Sequence, residues 1–230
     1  MENKASLNKT ALVLGASGLV GGHLVKKLLD DPDFSNVVIF VRRKIGIQHT
    51  KLFQKVTDFD NLILAAEQFK GDALFCCLGT TFKQANSKQY YRKVDYEYPL
   101  QAGKLCRENN VKHFLLISSI GADINSKAFY TRLKGEIERE ILKLNFDRTS
   151  IFRPSFLDGK RERIRLRERA GIFLVNLCTP FLVGKFRKCR AIRADAVACA
   201  MLEMSKKQKE KIKIFESDEI QEIFNSIRED

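Results

Sequence analysis

At 230 residues, 44% hydrophobic and 30% charged, the chain is long enough to bury one α/β core without requiring a second domain. No window approaches the roughly 20 consecutive apolar residues that span a bilayer, so a soluble, cytoplasmic protein without a transmembrane segment is expected. The formal charge of +13 favours anionic ligands, whether a phosphorylated cofactor, an acidic metabolite, nucleic acid or an anionic membrane, without choosing among them. The six cysteines are scattered without metal-ligand spacing, and the adjacent Cys76 and Cys77 face opposite ways on a strand. Reduced thiols are expected rather than a disulfide frame.

Residues 10–14 form a short apolar run ending at Gly15, and residues 19–29 carry apolar side chains at helical spacing. This predicts a strand, a tight turn and a helix. A β-branched run follows at 37–41, a helical connection near 62–64, and another apolar run at 73–78 between Gly71 and Gly79. Residues 91–109 read as a long helix, interrupted or started afresh near Pro99. Then come a buried strand at 113–118, a helix at 126–144 and a strand at 149–152 stopped by Pro154. Such alternation predicts an α/β fold, a Rossmann-type doubly wound parallel sheet with right-handed crossovers.

Beyond Pro154 a basic stretch at 160–169 leads into apolar residues 172–182, a second basic run at 185–193 and a helix over 194–204. Residues 155–193 are expected to add a small substrate cap to a single domain covering 1–230. A third basic stretch spans 206–213. The last segments, 212–215 and 220–227, fit a final strand and helix or a peripheral helix alone.

The first strand–helix turn reads Gly15, Ala16, Ser17, Gly18, Leu19, Val20, Gly21, a GxxGxxG variant of the dinucleotide fingerprint. Gly15 allows the tight turn, Gly18 lets the backbone approach a pyrophosphate, and Gly21 lets helix and sheet pack closely, with phosphates at the helix N-terminus. The second strand ends in Arg42 and Arg43 instead of an acid. Two guanidinium groups suit an adenosine 2′-phosphate, so NADPH/NADP is favoured over NADH/NAD. Asp58 stands where the third strand should end and is a candidate adenine contact. Leu78, Gly79 and Thr80 close the fourth strand at the carboxyl edge, where open α/β sheets bind ligands.

The helix at 126–144 carries Tyr130 and Lys134, one turn apart on one face. An ammonium beside a phenol favours the phenolate, which lets the tyrosine exchange a proton with a carbonyl oxygen as hydride moves. The strand at 113–118 runs into Ser118 and Ser119, whose hydroxyls can bond the same substrate oxygen.

The glycine turn, the Ser118–Ser119 strand end, the Tyr130/Lys134 pair and Arg153-Pro154 together resemble a short-chain dehydrogenase/reductase. The stretches LLISSIGAD (115–123), YTRLKGEIE (130–138) and FRPSFLDGKR (152–161) are similar to the atypical subgroup that includes the Tat-interacting oxidoreductase-like proteins. The resemblance covers residues 9–204. It implies an NADPH-binding domain with Tyr130 as the proton-transfer residue, Lys134 on the nicotinamide ribose, and Arg42 and Arg43 on the 2′-phosphate. Ser119 is the carbonyl positioner, with Ser118 behind it, and Arg161 is a further cofactor contact. One departure stands out: many family members complete the site with an asparagine from the helix before the serine strand, and this region holds Asp95 here.

Other residues suggest no chemistry. His23, His49 and His113 are far apart and stand beside no clustered acids or paired cysteines, so no metal site is expected. Cys77 reads as packing, and Phe173, Phe181 and Phe186 as core or a substrate mouth. The basic runs lack interleaved aromatics for base stacking, so nucleic acid is not the expected partner. The reading is an NADPH-dependent oxidoreductase acting on a small-molecule carbonyl or alcohol, as a monomer or homodimer. Its alternative is a non-catalytic NADPH-binding regulatory module that presents a surface to a protein partner.

Overall fold

The computed structural model describes residues 8–158 and 190–229. Apolar runs without polar alternation become strands covered on both faces, as parallel sheets require. Thus β4 (Ala73–Cys76) and β5 (His113–Ile117) are buried along their whole length. They lie beside β1 (Lys9–Leu14), β2 (Phe34–Val41), β3 (Leu52–Val56), β6 (Arg148–Arg153) and β9 (Ile212–Glu216). The order across the sheet is β3-β2-β1-β4-β5-β6-β9, and every pairing is parallel. Order reverses between β1 and β4, which makes the crevice above their carboxyl ends the natural ligand position.

Successive residues of each strand serve opposite layers. Ala11 and Val13 of β1 face α1 (Leu19–Asp30), α6 (Ala194–Lys207) and α7 (Ser217–Glu229), while Leu12 and Leu14 face the other layer. That second layer holds α4 (Tyr98–Glu108) and α5 (Phe129–Lys143), through Ala102, Leu105, Ile137 and Ile141. Alanines at 194, 196, 198 and 200 are buried, a run of small side chains on the helix that packs against α1.

Two boundaries that the sequence left open are decided by the structure. Pro99 sits in the first turn of α4, where its missing N–H costs little. Helix is continuous before it, through α3 (Lys88–Arg92) and a π-helical turn at Lys93–Glu97. At the chain's end the strand-plus-helix alternative holds. β9 extends the sheet beyond β6, with Phe215 stacked on Phe152 at a centroid distance of 4.9 Å.

Of the expected cap, residues 159–189 lie outside the described residues, and with them Arg161, Phe173, Phe181, Phe186 and the basic run at 160–169. The flanks form a small ribbon, β7 (Leu157–Asp158) paired with β8 (Ile192–Arg193). The basic stretch at 206–213 is largely paired within the fold: Lys206 with Asp31 at 2.7 Å, Lys207 with Glu203 and Lys213 with Glu219. Among the described residues no helix is long and apolar enough to cross a membrane.

Candidate functional site

The turn after β1 is built around Gly15, whose φ of +79° is left-handed. A Cβ there would lie 2.4 Å from the Cys77 carbonyl oxygen, and one at Gly21 would lie 2.1 Å from the carbonyl oxygen of Gly15. Gly21 therefore lets the first turn of α1 close onto the glycine turn itself. Gly18 caps α1 with no side-chain hydrogen bond, so the helix presents its N-terminal N–H groups and positive dipole end to whatever lies above β1. Ser17 and Leu19 line the opening, while Ala16 and Val20 are buried beneath it.

Above this turn lies a cleft of about 740 Å³. Its walls are the glycine turn, Leu78–Thr80 after β4, Arg42 after β2, and Tyr90 from α3. Arg42 donates from Nη1 to the Tyr90 hydroxyl at 3.0 Å, which holds the guanidinium across the cleft. Arg43 is exposed and not part of the wall. Asp58, the candidate adenine contact, instead caps the 3₁₀ helix Phe59–Gln68. Its oxygens accept from the Asp60 N–H and the Asn61 side-chain amide. An acid right after a strand fits a capping role equally well, and the sequence pattern does not separate the two.

At its inner end the cleft shares Gly18, Leu19 and 77–80 with a second pocket of about 230 Å³, where Ser119, Tyr130, Lys134 and Asp95 meet. Three elements deliver these groups: the loop after β5, the first two turns of α5, and the π-helical turn. Tyr130 remains accessible, with Tyr91 packed edge-on at a centroid distance of 6.2 Å. Lys134 is buried and its Nζ lies 2.9 Å from Asp95 Oδ1. Burial works against the ammonium, but Asp95, then Tyr130, outweigh it and raise the pKa of Lys134 above the ordinary lysine value. The other oxygen of Asp95 accepts from the Thr80 N–H at 2.9 Å. The departure noted in the sequence thus lies inside the site and engages its lysine directly.

The two serines both border the pocket but differ in their bonds: the Ser119 hydroxyl makes only a 3.3 Å contact with the Ile120 carbonyl. Ser118 is buried and donates to Glu138 Oε1, whose carboxylate is also bound by Arg153 at 2.6 and 3.0 Å. Ser118 thereby ties β5 to α5. The hydrogen bond to Glu138 first, with burial opposing it, holds the Arg153 pKa above its ordinary value. Tyr90 and Glu138 carried no signal in the sequence, because Tyr90 stands 48 residues from Arg42 and Glu138 reads as one more acid on a helix.

The residues present fit a dinucleotide: an elongated cleft, a glycine turn at a helix N-terminus, and an arginine at the outer end. Residues 11–219 match the model of the NAD dependent epimerase/dehydratase family. Protein HTATIP2 of Rattus norvegicus is 41% identical over 162 residues, 69% of this chain and 66% of that protein. The chain therefore spans just under two thirds of that relative's length. The mitochondrial protein FMP52 of Eremothecium gossypii is 34% identical over 152 residues, 66% of this chain and 68% of the relative. The Bordetella bronchiseptica enzyme WbmH, solved in complex with NAD+, superposes with a TM-score of 0.68 at 16% identity, covering 96% of this chain and 81% of that one. This last likeness speaks for the fold.

The cytoplasmic expectation is overturned by the fungal relatives, which are named mitochondrial. The cysteine pattern behind that expectation separates reducing from oxidising compartments and carries nothing that tells cytosol from mitochondrion. In fold, in the arrangement of its nucleotide cleft and in sequence, the chain belongs to the NAD-dependent epimerase/dehydratase family, as an atypical short-chain dehydrogenase/reductase.

Proposed function

We propose that the protein is an NADPH-dependent oxidoreductase acting on a small-molecule carbonyl or alcohol. The observation that carries the reading is the meeting of Tyr130, Lys134 and Ser119 in a pocket that opens into the glycine-turn cleft. The bound dinucleotide supplies or accepts the hydride. Tyr130 Oη gives its proton to the carbonyl oxygen in reduction and takes it back in oxidation. Ser119 Oγ donates a hydrogen bond to that oxygen, and Lys134 offers N–H donors to the nicotinamide ribose hydroxyls and to the phenol. The N-terminus of α1 faces the pyrophosphate. Arg42, oriented by Tyr90, and Arg43 take the 2′-phosphate, with Arg161 as a further contact. The mitochondrial names of the FMP52 relatives extend to this chain as its proposed compartment, which subcellular fractionation tests.

Thermal shifts with NADPH, NADP, NADH and NAD come first, since a ligand at about 100 times its Kd adds about 2.7 kcal/mol to stability. Stabilisation confined to the phosphorylated pair supports the reading, and no response to any of the four removes it. Tyr130→Phe is expected to lower turnover on a carbonyl panel by about 10²–10⁴-fold with NADPH affinity unchanged. Full activity in that variant would sink the assignment. NADPH binding without turnover of any panel member favours a cofactor-binding module.

A further inference from the structure

We propose that Asp95 is a positioning residue, whose carboxylate keeps Lys134 charged and aimed into the pocket where burial would otherwise neutralise it. The inference rests on the oxidoreductase reading only for the identity of the ligand that Lys134 meets. Asp95 is 2% exposed and Lys134 4%. Asp95 Oδ1 takes one N–H of the ammonium, and the remaining donors are available to a ligand. Its Oδ2 is anchored by the Thr80 N–H, and the residue stands in a π-helical turn, a feature frequent at functional sites. One carboxylate therefore fixes both the lysine and the loop after β4 that walls the cleft.

The groups around Lys134 make this carboxylate the one that matters. Tyr91 approaches from α3, Tyr130 from the same helix, and Cys76 from β4. Burial pushes the Cys76 thiol up to about 12, so it carries no charge at neutral pH. Glu138, one turn along α5, is engaged by Arg153 and Ser118. A lysine buried without a counter-charge loses up to about 3–5 pH units of proton affinity. Asparagine at position 95 would offer one acceptor oxygen to the two donors, Lys134 Nζ and the Thr80 N–H, and would remove that protection.

The test is Asp95→Asn. In the wild type Lys134 stays protonated in the folded chain up to about the unfolded lysine value of 10.4, so the pair adds no pH dependence below it. In the variant the folded chain binds fewer protons at Lys134 than the unfolded chain as that value is approached, so its stability rises with pH. The Tm gap between wild type and variant is expected to narrow as pH is raised from about 7 to about 10. A constant gap overturns the proposal. NADPH affinity of the variant, followed by cofactor fluorescence, is expected to fall at least about tenfold over the same interval while the wild type holds level. A loss independent of pH marks a merely structural contact and also overturns it.

If Asp95→Asn does not fold, the double variant Asp95→Asn/Lys134→Met decides, because removing both charges is far less costly than stranding one. Recovery of a cooperative transition is expected, and no recovery overturns the proposal. A wild type that binds no dinucleotide removes the oxidoreductase reading, while the thermal series still settles whether Asp95 protects the lysine charge.

Discussion

At the carboxyl edge of the sheet two ion pairs hold buried carboxylates, one of them lining a pocket, whereas at the amino edge a neutral hydrogen-bonded chain is buried. The first group comprises Lys134 with Asp95 and Arg153 with Glu138. The second is a chain of hydrogen bonds in which His113 Nε2 meets Ser150 Oγ at 2.7 Å, Ser150 donates to Gln208, and Gln208 donates to the Thr149 carbonyl. His113 and Ser150 are both inaccessible. A histidine–serine contact would look catalytic on distance alone. Burying polar groups costs free energy in both places, and at the carboxyl edge the buried Lys134–Asp95 pair stands beside a pocket where a ligand can use it.

The sharpest challenge to that contrast is Arg153→Leu, which strands the buried Glu138 carboxylate. A loss of about 3–5 kcal/mol is expected in urea unfolding. A loss below about 1 kcal/mol, the net worth of an ordinary hydrogen bond, would put the two edges on an equal footing.

The amino edge has its own signature. Burial first, then Arg148, hold the His113 pKa at about 3, far below the roughly 6.5 of an unfolded histidine. The unfolded chain takes up a proton that the folded chain refuses. Stability therefore falls as pH drops below about 6.5, by about 2 kcal/mol from this group on reaching pH 5. Denaturant midpoints at the two pH values should show it, and His113→Gln should abolish that component of the slope.

The smallest effect belongs to the rim of the cleft. Ser87 caps α3 by accepting from the Tyr90 N–H, so Ser87→Ala is expected to cost about 1 kcal/mol. It should also loosen Tyr90 from Arg42. A thermal shift by NADPH that falls in this variant, with that by NADH unchanged, would tie the cap to the 2′-phosphate contact.

The strand–helix series, the glycine turn and the placing of Tyr130 and Lys134 on one helical face were legible because each depends on residues within one turn or one strand. Near-continuous apolar runs such as 73–76 and 113–117 announce burial on both faces. Pro99 marked the fresh start of α4, since a proline that breaks a helix interior is tolerated in a first turn, while the π-helical turn ahead of it has no composition of its own. Asp58 stays open for a related reason: an acid after a strand serves a cap or a ligand with the same atoms.

By itself the sequence determined the alternation of strands and helices, the glycine turn after the first strand and the phenol–ammonium pair, because periodicity and local backbone geometry are properties of neighbours along the chain. Only the tertiary structure decided that Asp95 would close on Lys134, that of the two pocket serines Ser118 would bond Glu138, and that Tyr90 would hold Arg42. Those partners are 20 to 48 residues apart, on elements whose meeting is fixed by the order of strands in the sheet and by the packing of the helices above it.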